Sequence, residues 1–328
     1  MPLTLRRGTV TAVRDQVPGL ARIEVDGTPC VAYVDVTGPV EEGDDVLVNV
    51  QARELGLGSG GFDVLHANLS RGLELAAEPG AHVMKLPYTP MQFAVRHGEE
   101  DGGLPETLGG VPVVGCSLHS QLAPACAALR GVRVAYVQVP GGALPLALSD
   151  TVRSLRGHEL LHLTIGAGAC FGGDADAVNV HSALALAVAR GAQAVVASIG
   201  PGIVGTGTKL GHGGVGAAEA LAAAVRLGGR AVPALRISEH DPRERHRGVS
   251  HHTDAVLSLS GGSYAVPWPE GCPVENPAAD GATVVDVSDW REACVGLPLS
   301  HMGRGPDDDP WFFAAAFAAG RLARGLVA

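Results

Sequence analysis

From Val111 onward one unit recurs: a short, almost continuous apolar run, a loop rich in glycine, then a segment with helical spacing. The apolar runs are Val111–Gly115, Val132–Val139, Leu160–Ile165, Ala194–Ile199 and Val232–Ile237. A strand that is apolar on both faces must be buried on both, which predicts a mainly parallel sheet with helices on both faces. The intervening helices are expected over Gln121–Leu129 behind a Ser120 cap, Thr151–Leu155 behind Ser149-Asp150, Ala177–Arg190 behind an Asp176 cap, and Ala217–Leu227. Further strands are expected near Ala255–Leu259 and Thr283–Val287, and a helix over Trp311–Leu326 closes the chain. The fold class is α/β.

The first 75 residues read differently. Gly8–Val13, Ala21–Val25, Cys30–Val36 and Asp45–Val50 are short runs with β-branched residues, separated by Pro18-Gly19, Asp26-Gly27 and Glu41-Glu-Gly43. Asp-Gly between alternating runs is a strong hairpin signal. These strands predict a small all-β barrel of the SH3-like or oligomer-binding kind. The expected domains are therefore residues 1–75, a barrel, and residues 76–328, the α/β domain that carries the site. The barrel has few basic residues and few aromatics on which bases could stack, so it reads as an interaction or assembly module, and a homo-oligomer is a possible state of the protein. Residues 76–110 form a transition that contains Lys85 and the polar stretch Arg96-His-Gly-Glu-Glu-Asp-Gly-Gly.

Composition narrows the function. With 46% hydrophobic but only 4% aromatic residues, the core must be built from Ala, Val and Leu. A formal net charge of −10 argues against nucleic acid as a partner. The six cysteines form no Cys-x-x-Cys pair, which favours reduced thiols over a disulfide framework or thiolate zinc. The start lacks the apolar stretch of a signal peptide, and the longest apolar segments, such as Phe312–Ala319, are too short to span a bilayer. A cytoplasmic protein without membrane contact is expected.

In open α/β sheets, ligands gather beyond the carboxyl ends of the strands. Four loops meet that condition. Gly115-Cys-Ser-Leu-His119-Ser120 places a histidine and a hydroxyl at a helix start. Gly166-Ala-Gly168 to His181 holds Asp174, Asp176 and Asn179, with a glycine spacing one residue away from the dinucleotide fingerprint. The third loop, Gly200-Pro-Gly-Ile-Val-Gly205-Thr206-Gly207-Thr208-Lys209-Leu-Gly-His212, has one of only two lysines in the chain, the other basic residues being arginines. A compact ammonium beside glycine-freed amides suits an anion cradle, although neither the Rossmann nor the Walker pattern fits. The fourth, Arg236 to His252, packs Asp241, Arg245, His246, His251 and His252 into seventeen residues. Imidazoles ligate metals and arginines pair with phosphate or carboxylate.

These loops together resemble the domain of unknown function 3866, an uncharacterised bacterial family, over nearly the whole chain. The resemblance rests on Met84-Lys85-Leu-Pro-Tyr-Thr-Pro90, His119-Ser120-x-Leu-Ala-Pro124, Phe171-Gly-Gly-Asp174-x-x-Ala-Val-Asn179, Gly205-Thr-Gly-Thr208 with Gly211-His212, and Arg245-His246-x-Gly-Val-Ser-His251-His252. Pro87 departs from the basic residue expected there. The resemblance groups the loops and implies no reaction.

The sequence thus predicts an enzyme acting on a phosphorylated or otherwise anionic small molecule by hydrolysis or group transfer. A non-catalytic ligand-binding or assembly protein is the alternative. Catalytic chemistry is expected from His119, Asp174, Asp241, His246 and His251, and anion binding from Gly205, Thr206, Gly207, Thr208, Lys209 and Arg245. A divalent metal, if used, is expected on Asp174, Asp241, His246, His251 and His252. The Asp174, Lys209 and histidine loops are expected to line one cleft.

Overall fold

The computed structural model describes residues 3–56, 60–262, 264–276 and 281–328. Residues 1–2, part of the start read above, and 57–59, inside the expected barrel, lie outside the described residues. The chain is mixed α/β and divides into two compact units, residues 1–96 and 97–328.

The first unit holds a closed barrel of β1 (Leu5–Val17), β2 (Leu20–Val25), β3 (Thr28–Ala32), β4 (Asp45–Asn49) and β5 (Asp63–Asn68), in the order β1-β2-β3-β5-β4. β1 closes the ring by pairing with both β2 and β4, and two irregularities in its register with β2 give it the bend this requires. Asp26 and Gly27 join β2 to β3 with φ of 49° and 74°, the left-handed pair that a tight hairpin demands. Val10, Ile23, Val25, Cys30, Val46, Val48 and Leu65 fill the interior. Short helices α1 (Val34–Thr37) and α2 (Gln51–Glu54) interrupt the strands, and a small antiparallel pair, β6 (Val83–Lys85) with β7 (Phe93–Val95), follows.

The second unit is built on β8 (Pro112–Cys116), β9 (Val134–Val139), β10 (Leu163–Ala167), β11 (Ala175–Ala177), β12 (Ala194–Ile199) and β13 (Arg230–Ala234). They form one parallel sheet in the order β11-β10-β9-β12-β8-β13. Every residue of β8, β9 and β12 is buried, as their almost continuous apolar character requires. Neighbouring strand residues join different cores. Val114, Tyr136, Val196 and Val232 pack with α3 (Leu122–Ala128) and α9 (Pro310–Gly325), whereas Val113, Val137, Val195 and Ala231 pack with α5 (Val180–Ala189) and α6 (Gly216–Arg226). Gly320 lets α9 cross α3 closely, since a Cβ there would lie 2.1 Å from the Ala125 carbonyl oxygen. No helix among the described residues is long and apolar enough to cross a membrane.

The remaining elements are α4 (Asp150–Gly157), capped by Ser149 as expected, β14 (Ile237–Ser238), β15 (Gly248–Val249), α7 (His251–Ser260), β16 (Val266–Pro269), β17 (Ala282–Val285) and α8 (Trp290–Ala293). Three local expectations are corrected. Ser120 caps nothing, because the chain enters α3 through a short 3-10 turn over His119–Gln121. Asp176 lies in β11, and Asn179 caps α5 by accepting from Ser182 N at 3.0 Å. Ala255–Leu259 belongs to α7; a five-residue run with four apolar residues is too short to show a period, and the Ser250 cap decides for helix.

Candidate functional site: an imidazole cluster

β12, β8 and β13 are adjacent, so the loops leaving their carboxyl ends meet. After β12 the chain turns through a tight hairpin in which Thr206 N donates to Gly211 O and Gly213 N donates to Val204 O, and Gly205 bridges His212. This hairpin is anchored by bare backbone: a Cβ on Gly213 would lie 1.8 Å from the Gly141 carbonyl oxygen, so only glycine allows the crossing. The hairpin thereby delivers His212, buried, to the sheet edge.

After β13 a second hairpin forms, with β14 antiparallel to β15. It brings His246 back toward the start of α7, whose first two residues are His251 and His252. Ser250 serves both, accepting from His252 N at 3.2 Å through Oγ while that same oxygen lies 2.7 Å from His246 Nδ1.

Four rings now touch. His212 stacks on His252 with centroids 3.7 Å apart and planes 9° from parallel. His251 meets His252 at 4.6 Å and His246 at 4.8 Å, and His246 meets His252 at 4.9 Å. Neither ring nitrogen of His212 and not Nε2 of His251 has a hydrogen-bond partner, although all three atoms are buried. The Lys209 backbone lies near enough to His212 to favour its charged form, but outside bonding geometry. Burial, reinforced by Arg236, pushes His246 down to about 3 and His252 to about 2. The rings are neutral at physiological pH.

Beside them lies a charge network with buried Arg236, Asp241 and Asp309 and half-buried Arg243 and Arg304. Asp241 accepts from Arg236 at 3.3 Å, from Arg243 through backbone and side chain, and from Arg304 at 2.9 Å. Burial opposes its charge, but hydrogen bonds from Arg243 and the neighbouring guanidinium groups hold its carboxyl well below the usual carboxylate range. Ser238 Oγ donates to Asp309 at 2.7 Å, and Arg304 Nε reaches the same carboxylate at 3.2 Å. Three guanidinium groups against two carboxylates leave an excess of one positive charge beside the rings. Arg236 Nη1 also reaches His252 Nδ1 at 3.2 Å.

The sequence-predicted residues divide sharply. His246, His251 and His252 meet in the cluster, and Arg245 lies against the glycine hairpin, its guanidinium 3.7 Å from where a Gly207 Cβ would stand. Asp241 sits beside the cluster, with its oxygens committed to arginines. His119 is a clamp: Nδ1–H donates to Ile199 O at 3.1 Å and Nε2 accepts from Ser149 Oγ at 2.7 Å. Asp174 does not join the cleft expected of it. It stands level with Thr164, at the amino end of β10, where it accepts from Thr164 N at 2.8 Å and pairs with Arg156. Lys209 is exposed, and the Thr206 and Gly211 amides are spent on the hairpin itself. The glycine loop contributes His212 in place of an ammonium.

His212, Arg236, Ser250, Arg304 and Asp309 were not read as site residues. His212 left a signal as the histidine that closes the glycine loop, and Arg236 and Ser250 lie in the histidine-rich loop, whereas Arg304 and Asp309 come from a distant segment. One nitrogen each from His212, His251 and His252 lies within 4.8 Å of the others, the set among the described residues that could offer itself to a metal. An open cavity of about 640 Å³ is lined by Glu239, Arg247, Asp254 and Glu275 among others, but by none of the four histidines.

The family described as protein of unknown function (DUF3866) matches residues 29–320, and the chain belongs to it. No curated protein sequence matches the chain.

Proposed function

We propose that the second unit is an enzyme that acts on a small anionic molecule at the imidazole cluster, by hydrolysis or group transfer. One observation carries this reading: four neutral imidazoles in ring contact, three of them buried and His251 half-buried, with three of their nitrogens without partners, beside a network with excess positive charge. An unpaired buried polar atom costs about 1–3 kcal/mol, a cost that a ligand can offset. The sheet, taken as covered by helices on both faces, presents the cluster at its carboxyl edge, where such folds bind ligands.

His246 and His251 are assigned the acid–base work. Ser250 orients the His246 ring through Nδ1, as the third group of a catalytic set orients its base. Arg245 supplies a further contact to the anion. The barrel is assigned to assembly; Arg7, Arg14 and Arg22 on its surface are paired with Asp45, Glu24 and Asp15, which leaves little for nucleic acid. The six free thiols suit a reducing compartment, the cytoplasm.

A non-catalytic sensor is the second reading, favoured by the fact that none of the histidines lines the open cavity. Turnover of phosphate and carboxylate esters and anhydrides by the full chain decides between them. An enzyme should lose about 100-fold or more in kcat in His246→Ala or His251→Ala while keeping phosphate affinity within about tenfold. No turnover by the wild type, with phosphate binding lost in both variants, selects the sensor.

A further inference from the structure

We infer that Arg236 holds His252 as the Nε2–H tautomer, and that this makes the cluster a receptor for the oxyanion of a small molecule and not a metal centre. The inference rests on the cluster being the site, and it is independent of turnover.

A guanidinium has five donors and no acceptor. At 3.2 Å from Arg236 Nη1, His252 Nδ1 must therefore accept, and the ring's proton belongs on Nε2. Ligation through Nε2 would require that proton to leave. Ligation through Nδ1 would displace a guanidinium that is 2% exposed and tied to Asp241. Metal-bound histidines usually show the reverse arrangement, with the second nitrogen donating to a carboxylate or carbonyl.

The stack points the same way. A nitrogen lone pair lies in the plane of its ring, and a metal sits about 2.1 Å along it. His212 and His252 have planes 9° from parallel and centroids 3.7 Å apart, so their in-plane lone pairs run side by side instead of converging. The three nitrogens lie within 4.8 Å of one another, but their lone pairs do not point at a common centre.

An oxyanion needs N–H groups and positive charge, and both are at hand. His252 Nε2–H is fixed by Arg236. Neutral His212 and His251 each carry one N–H, and their unpartnered nitrogens leave the ligand to choose the tautomer. The excess charge of the Arg236, Arg243 and Arg304 network favours an anion and opposes a divalent cation. A phosphate or carboxylate group is the ligand chemistry that fits.

Long-range ¹H–¹⁵N spectra of the full chain labelled at histidine test this, with His252→Gln assigning the resonance. At neutral pH, His252 Nδ1 should be unprotonated and Nε2 protonated. Inorganic phosphate should shift the His212, His251 and His252 resonances saturably, with acetate as the carboxylate arm. A response to either anion supports the receptor, and the tighter of the two names the group. Arg236→Met should give His252 a mixture of tautomers and weaken anion binding about tenfold or more. Should that variant fail to fold, His252→Gln, which keeps an N–H donor, should bind phosphate at least about tenfold more tightly than His252→Leu. An Nδ1–H tautomer in the wild type, silence toward both anions, or stoichiometric zinc bound through His212, His251 and His252 would each overturn the inference.

Discussion

His119 and His252 both follow strands of the same sheet at its carboxyl edge, and burial drives both rings far toward the neutral form, to about 4 and about 2. Their surroundings nevertheless differ in kind. His119 has spent both nitrogens, one on the end of β12 and one on the cap of α4, and so ties two elements together. His252 is held by a guanidinium on one side and stacked against a ring whose two nitrogens make no hydrogen bond. Desolvation shifts a pKa wherever a ring is buried. Hydrogen-bond accounting, not the shift, separates a structural histidine from one left ready for a ligand.

The largest expected effect tests the structural side. His119 is neutral in the folded chain down to about pH 4, whereas an unfolded histidine takes its proton near 6.5. Between those values the unfolded state binds more protons, so stability falls as pH falls through the window and is fully present above 6.5. A shift of this size corresponds to about 3 kcal/mol, and partial exposure of the residue brings it to roughly 1–3 kcal/mol. Urea unfolding at pH 4.5 and 7.5 should show this loss in the wild type and a smaller one in His119→Gln. Equal pH dependence in the two proteins would remove the clamp. His119→Ala should also cost about 1–2 kcal/mol at neutral pH, since it leaves the Ser149 hydroxyl without its acceptor and takes one of several donors from the Ile199 carbonyl, while His251→Ala should cost less than about 1 kcal/mol.

The sequence made the sheet readable because β8, β9 and β12 are buried along their whole length and so leave almost continuous apolar runs. It made the barrel readable through turn chemistry such as Asp26-Gly27. It failed where tertiary contact decides, as at Ser120, whose Oγ turns to His301 at 3.2 Å instead of capping α3. The same limit governed the site. Density of histidine exposed His246, His251 and His252, which are close in sequence. Arg304 and Asp309 reach Asp241 and Ser238 across more than sixty residues, and no local pattern encodes that meeting. Asp241 and Asp174 looked reactive because carboxylates beside histidines and glycines often are. Counting the guanidinium groups around each requires the fold.

A middle-sized effect tests the ligand side. Gly214 faces the His212 ring so closely that a Cβ there would lie 3.0 Å from Nδ1 and 2.9 Å from the Ser117 carbonyl oxygen. Gly214→Ala should therefore push His212 off its stack, at about 1–2 kcal/mol in stability and about tenfold in phosphate affinity. Gly157→Ala, where a Cβ meets nothing within 4 Å, is the control and should leave both unchanged or stabilise slightly. If Gly214→Ala binds phosphate as the wild type does, the His212 ring is not part of the receptor.

The smallest effect concerns the residue that stands out most in the sequence. Lys209 is exposed at the hairpin, and its charge acts on Asp254, whose carboxyl burial raises and Lys209 partly draws back. An exposed charge is screened by salt over about 10 Å, so its pull on an anion among the buried rings is weak. Lys209→Ala should therefore change phosphate affinity by no more than about twofold at 0.15 M salt, with Lys209→Arg indistinguishable from the wild type, while the Asp254 carboxyl rises further in the alanine variant. The competing view, a point-charge anchor that a planar guanidinium cannot replace, expects Lys209→Arg to lose nearly as much as Lys209→Ala, about tenfold or more. That pattern would move the anion from the imidazoles to the hairpin, and the distinction between a clamping histidine and a receiving one would no longer explain the cluster.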